Sequence, residues 1–256
     1  MSTLRYLALG TLAVASLSAQ AAVELSSGAL SYSQDFNTLA STGTTNSILP
    51  AGWAFNETGT AANGTYAAGT GSDNAGNTYS FGAAGSSERA LGTLLSGSVT
   101  PSFGVSFVNL AGANITSIAI QYTGEQWRLG ATGRADRLDF QYSTNASSLT
   151  AGTWTDVNAL DFSSPITAGA LGALNGNLAA NSQTLSGSIS GLTLAQGATL
   201  WLRWTDANAS GADDGLAVDN FNLTATLAPV PEPGSYALLL AGLGAIGLIA
   251  RRRQRD

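Results

Sequence analysis

Asp136-Arg137-Leu138-Asp139-Phe140-Gln141-Tyr142-Ser143 decides the fold, because Leu138, Phe140 and Tyr142 are apolar at every second position with acidic or amide residues between them. A period of two sends one set of side chains to a buried sheet face and the other toward water, the mark of a half-buried strand. The same alternation recurs at Phe103, Val105 and Phe107, at Ile118, Ile120 and Tyr122, and at Leu200, Leu202 and Trp204. Leu216 and Val218 begin another run, which changes phase near Asn220 before Phe221 and Leu223, as a β-bulge would cause. Short alternating runs separated by Gly, Asn and Ser turns predict an all-β fold, an antiparallel β-sandwich.

Other stretches are less regular. Leu185 to Ser190 is a weaker strand, because Gly187 stands where a third apolar residue is expected between Leu185 and Ile189. The segment 43–76 has few apolar anchors beyond Ile48, Leu49, Trp53, Phe55 and Tyr66 and reads as a long loop with one strand near Trp53. Residues 168–180 read as a second excursion, and Arg134, Asp136 and Arg137 as a solvated loop. No repeat or internal linker divides the body, so one domain over 22–228 is expected.

Composition excludes several chemistries. The 256 residues contain no His and no Cys, and every one of the ten basic residues is Arg. Ser-His-Asp and Cys-His catalysis, His-bearing metal centres and a P-loop lysine are therefore ruled out by residue type. Without Cys the fold relies on its core, which about 200 residues can supply. Residues 22–228 carry fourteen Asp and Glu against Arg89, Arg128, Arg134, Arg137 and Arg203. So acidic a surface repels phosphate backbones, and no nucleic-acid partner is expected. Calcium or neutral sugars suit it better.

The two termini describe a route out of the cytoplasm. Arg5, an apolar stretch from Tyr6 to Leu17 and Ala19-Gln20-Ala21 make a signal peptide over 1–21, with signal peptidase cutting after Ala21. At the other end, Pro231 and Pro233 enforce a stiff non-helical joint. Ser235 to Ala250 follows without a charge, a span of about 24 Å against a hydrocarbon core of roughly 30 Å. Arg251, Arg252, Arg253 and Arg255 stop this short transmembrane helix and hold the arginine end cytoplasmic, so the body faces outward from the inner membrane.

Val230-Pro231-Glu232-Pro233, the glycine-rich span and the arginine cluster closely resemble the PEP-CTERM sorting signal of exosortase substrates, here covering 229–256. The resemblance implies recognition by an exosortase-like membrane protease, cleavage near the motif, and transfer to the cell surface or release. It also implies a Gram-negative host that makes exopolysaccharide. The body is similar, through DFNTL (35–39), LPAGW (49–53), SERALG (87–92), YTGEQWR (122–128), LDFQYS (138–143), WLRWTD (201–206) and DDGLAVDNF (213–221), to a jelly-roll module of secreted bacterial proteins. That module also occurs beside extracellular nuclease or phosphatase domains, and it implies a lectin-like accessory sandwich without the nuclease.

Two sites are candidates for binding. Asp206, Asn208 and Ser210 alternate before Gly211 and are followed by Asp213 and Asp214, oxygen donors spaced like the first half of a calcium loop. The closing acid of an EF-hand falls at Ala217, so the EF-hand is excluded; the same residues also suit a hairpin turn. Glu125, Trp127 and Arg128 form the second candidate, with the indole stacking on a sugar and the charged groups reaching its hydroxyls. Alternatively Trp127 packs and Glu125 pairs with an arginine such as Arg89.

The leading expectation is a non-catalytic, exported envelope or matrix protein that binds polysaccharide. A glycan hydrolase or lyase is the alternative, for which Glu125 with Asp139 or Asp161 supplies the required carboxylates. A purely structural matrix protein is the third reading.

Overall fold

The computed structural model describes residues 21–229 together with 234, 239, 241–243, 246 and 251. Five short strands come first: β1 (Val23–Ser26), β2 (Ser31–Gln34), β3 (Trp53–Thr58), β4 (Tyr66–Gly69) and β5 (Asn77–Phe81). β6 (Ala90–Leu94), β7 (Thr100–Leu110), β8 (Ile115–Leu129), β9 (Arg137–Ser143) and β10 (Thr155–Asp156) follow. A 3₁₀ turn at Asn158–Leu160 leads to β11 (Phe162–Ser163), β12 (Gly172–Ala173), β13 (Ser182–Leu194), β14 (Thr199–Ala207) and β15 (Gly215–Leu227).

These strands form two sheets. The first runs β1-β7-β14-β9-β10, with β3 sharing the β1 edge of β7 and β11 sharing the β10 edge of β9. The second runs β12-β8-β15-β6-β5-β4, with β13 on β8 and β2 on β15. Pairing is antiparallel except for β1 with β7 and β4 with β5. The expected all-β sandwich is therefore present, with two parallel edge pairings added.

Between the sheets lies the main core, to which every alternating run contributes: Phe103, Val105 and Phe107 from β7, Ile118, Ile120 and Tyr122 from β8, Leu138 and Phe140 from β9, and Leu200, Leu202 and Trp204 from β14. Trp204 is its hub. The indole stacks on Phe103 at 5.4 Å and Trp53 at 5.8 Å, and meets Phe140, Tyr122 and Phe221 edge-on at 5.0, 5.4 and 5.8 Å.

The weak segment around Gly187 is the middle of a thirteen-residue strand. A Cβ at Gly187 would meet Leu160 Cγ at 3.1 Å, so the side chain missing from the strand is supplied by the 3₁₀ turn. The stretch 43–76 contains β4 as well as β3, which its small residues concealed. The phase change at Asn220 is a bulge, with the β8 register slipping between Asp219 and Asn222 and Asn220 at φ +50°. Here β15 also changes its other neighbour, from β6 at Val218 to β2 at Phe221.

A second, smaller core covers the outer face of the β8-containing sheet, formed by Ala67, Tyr79, Phe81, Ala90, Leu94, Trp127 and Ala217. β6 is accordingly buried on both faces. Among the described residues no helix is long and apolar enough to cross a membrane. The proposed signal peptide lies almost wholly outside the described residues. Of the proposed transmembrane segment, only 239, 241–243 and 246 are described; they are helical and exposed.

Candidate functional site

The loop closing β14 onto β15 does not gather its oxygens. Asp206 is 5% exposed and turns inward, where its Oδ2 accepts a hydrogen bond from the Thr93 hydroxyl at 2.9 Å. Asp213 Oδ1 accepts the Ala209 amide at 2.9 Å, and Asp214 accepts the Gly130 amide at 2.7 Å and the Gln126 side-chain amide at 2.9 Å. Arg134 donates to the Ser210 and Ala212 carbonyls and approaches Asp136 at 3.4 Å. These contacts favour the turn reading of Asp206, Asn208, Ser210, Asp213 and Asp214.

The solvated-loop expectation for Arg134 and Asp136 is corrected, since the Arg134 side chain is 13% exposed and Asp136 only 1%. The error came from reading charge as exposure when the loop charges pair with one another. Arg137 does remain half exposed, bound to Asp139.

Burial pushes Asp136 up to about 6, against the backbone donors of Asp214 and Arg137 that pull it down. Asp206 is driven well above the usual carboxylate range, first by burial and then by the Asp136 charge, with the Thr93 hydroxyl opposing. Both groups hold protons more tightly folded than unfolded. Their stabilisation is therefore complete below the unfolded carboxylate range near pH 4 and is lost as pH rises through about 6 and beyond. Asp206→Asn removes the Asp206 contribution, so urea titrations of the variant should show a flatter fall of unfolding free energy over this range; a fall as steep as wild type contradicts the assignment.

Glu125 and Trp127 lie on the outer face of β8, and they bind one another. Trp127 Nε1 donates to Glu125 Oε2 at 2.8 Å. The indole is 1% exposed, stacks on Phe81 at 6.0 Å and 5°, and has Gly176 packed so close that a Cβ there would lie 2.4 Å from Nε1. The ring thus has no open face for a sugar. Arg128 Nη1 donates to the Gly71 and Ser72 carbonyls at 3.1 and 3.2 Å, holding the loop after β4. Arg89 is not the partner of Glu125 either: its guanidinium is buried and donates to the Ser80 hydroxyl and to the Ser80 and Gly69 carbonyls.

What faces Glu125 is a pair of acids. Glu88, from the β5–β6 loop, and Asp219, at the β15 bulge, bring one oxygen each to within 4.8 Å of one another and of a Glu125 oxygen. It is the one such acidic group among the described residues. Burial first, then the Asp219 and Glu88 charges, push Glu125 up to about 8 despite the Trp127 hydrogen bond. Asp219 is pushed up to about 7, again mainly by burial, with Glu88 and Asp35 adding to it and the Asn220 backbone amide opposing. Sequence reasoning found Glu125 but not its partners, because three acids on separate segments leave no spacing signature.

A different surface offers an open concavity. Tyr142, Asn145, Thr153, Thr155, Leu192 and Thr193, with Ser143, Thr144 and Gly191, line a cleft of about 310 Å³ between the β9–β10 edge and β13. No charged side chain lines it. Beside it Trp154 carries the Arg203 guanidinium 3.9 Å above its ring, while Arg203 Nε donates to Gln141 Oε1 at 2.7 Å. One half-buried ring and a lining of hydroxyls and amides fit a neutral, hydroxyl-rich ligand. The alternation of Leu138, Phe140 and Tyr142 located this strand, but not the cleft that Tyr142 lines together with residues of β13.

Val230, Pro231, Glu232 and Pro233 lie outside the described residues, as do Arg252, Arg253 and Arg255; Arg251 is helical and exposed. Residues 229–254 match the PEP-CTERM protein-sorting motif. No curated protein matches the chain. Among solved structures, it is similar to the CBM22-1-CBM22-2 tandem domain of Paenibacillus barcinonensis Xyn10C, with 16% identity, TM-score 0.41, and 85% of this chain and 50% of that one covered. It is also similar to the K3 cleaved adhesin domain of Lys-gingipain from Porphyromonas gingivalis (12% identity, TM-score 0.39, 68% and 93% covered). TmCBM61 in complex with β-1,4-galactotriose is a third (11% identity, TM-score 0.34, 68% and 88% covered). Identities and TM-scores this low transfer no ligand to this chain.

Proposed function

We propose that this chain is an exported protein, delivered to the cell envelope by its C-terminal sorting signal, whose non-catalytic β-sandwich binds a neutral polysaccharide in the Tyr142 cleft. The observation that carries the sorting is the motif at 229–254, and the uncharged lining of the cleft supports the binding. An exosortase-like membrane protease is the partner that this motif calls for. The signal peptide over 1–21 starts export and the apolar run up to Arg251 halts it, so the sandwich emerges on the outer side of the inner membrane. Cleavage near Pro231 then frees it for the cell surface or the matrix.

Two features support binding without turnover. The cleft lining contains no carboxylate, so a glycosidic bond held there meets neither a general acid nor a nucleophile. The nominated acids are also dispersed: Glu125 is on β8 in one sheet, while Asp139 is on β9 in the other and binds Arg137. Asp161, beside β9, has its Oδ1 taken by the Phe140 amide at 2.8 Å.

The sorting half of the proposal is tested by fractionating cells that carry an exosortase and express either wild type or the Pro231→Ala, Pro233→Ala double variant. Wild type is expected at the surface or in the medium with its tail removed, and the variant full-length in the inner membrane. Identical distribution and size of the two would overturn the route.

A further inference from the structure

We infer that Glu88, Glu125 and Asp219 form a divalent-cation site, selective for calcium, that joins the β5–β6 loop, β8 and the bulge of β15 on the outer face of the second sheet.

Each carboxylate has one oxygen engaged by a neutral N–H donor. Glu125 Oε2 accepts the Trp127 indole, Asp219 Oδ2 accepts the Asn220 amide at 2.7 Å, and Glu88 Oε2 accepts the Asn177 amide. Donors of this kind orient ligating carboxylates without cancelling their charge. Asp219 is only 3% exposed, and its buried Oδ1 has no N–H or hydroxyl donor and faces the Glu88 carboxylate instead. An unpaired carboxylate oxygen in such a place carries a desolvation cost that a cation removes.

The surroundings contain no protein cation that performs this task. Arg89, next to Glu88 in the chain, directs its guanidinium to Ser80 and Gly69, and Arg128 donates to Gly71 and Ser72. Asp35, the other charged group facing Asp219, is also acidic. Three carboxylates converging with no positive side chain among them suit an ion of charge +2.

Oxygen-only donors select a hard ion, and the residue types exclude the His and Cys ligation of zinc. The ligands sit on a loop, a strand and a bulge, which favours calcium with its tolerant coordination over magnesium with its strict octahedron. Glu88 is only half buried, so the site has an entrance from solvent and room for water ligands. The bulge at Asn220 gains a purpose, since it sets Asp219 where β15 exchanges β6 for β2 as its neighbour.

The test uses the full chain in detergent after chelator treatment. Calorimetry should show calcium binding in wild type and a rise in thermal midpoint. Asp219→Asn and Glu125→Gln should each weaken calcium binding by about ten-fold or more. Without calcium at pH 9, where both carboxyls are ionised, these neutral variants should melt at or above the wild-type temperature, because each removes a buried charge and keeps its shape. Terbium in place of calcium should luminesce on indole excitation, and Trp127→Phe, which removes both the indole and the donor that orients Glu125, should lower that emission and the calcium affinity together.

Absence of both heat and thermal shift in wild type overturns the inference. So does a calcium response that persists in Asp219→Asn and Glu125→Gln, or one that is lost in Asp213→Asn alone, which would move the ion to the β14–β15 loop. Magnesium binding as tightly as calcium would overturn the selectivity.

Discussion

Trp204→Ala is expected to cost about 3–5 kcal/mol of unfolding free energy, the range for removing a buried aromatic side chain. The indole is fully buried and touches rings from both sheets, Phe103 and Phe140 on one side and Tyr122 and Phe221 on the other. Its removal leaves a cavity bounded by large rings attached to long strands, which cannot collapse without shifting the sheets. Trp201 is the internal control. It lies three residues earlier on β14, on the opposite face and half buried, and its truncation should cost under about 1.5 kcal/mol. Urea unfolding of both variants decides the matter; equal losses would mean that the alternation on β14 does not place one tryptophan in the core and one outside.

Gly71→Ala should be nearly as damaging, with a loss of about 2–5 kcal/mol from positive-φ strain and overpacking together. Gly71 has φ +81°, and a Cβ there would lie 1.8 Å from the Trp127 carbonyl oxygen, which is backbone and cannot swing aside. The loop after β4 would have to lift. Its carbonyls would then leave Arg128 Nη1, and the small core of Tyr79, Phe81 and Trp127 would open to water. Near-ultraviolet circular dichroism and urea titration should register both changes, whereas Gly64→Ala, with φ +67° but open space around it, should cost no more than the strain of its backbone, about 1–2 kcal/mol.

The long strands were legible because their signal is local. Leu138, Phe140 and Tyr142 announce β9 without reference to anything else in the chain, and Phe221 and Leu223 announce even the bulge before them. Strands whose inward partners come from elsewhere were less so. Gly187 looks like a defect until Leu160 is seen filling the space a Cβ would take. Trp127 stayed ambiguous between packing and binding for the same reason. An indole among charged residues on a strand reads as a sugar platform unless one knows that the loop bearing Gly176 covers it and that Phe81 stacks on it. The acidic trio lies at the far end of this scale, since Glu88, Glu125 and Asp219 meet only through the pairing of β8 and β15 and the course of the β5–β6 loop. The tail is the opposite case. Its motif is contiguous, and reading it needed no fold at all.

The division between a sorting tail and a binding sandwich is tested most directly by affinity electrophoresis of the full chain through gels containing the host's exopolysaccharide, with reducing ends assayed in parallel. Wild type should be retarded, Tyr142→Ala should migrate as it does in a polysaccharide-free gel, and no reducing ends should form. Reducing ends accumulating with time, or wild type migrating unretarded, would contradict the account.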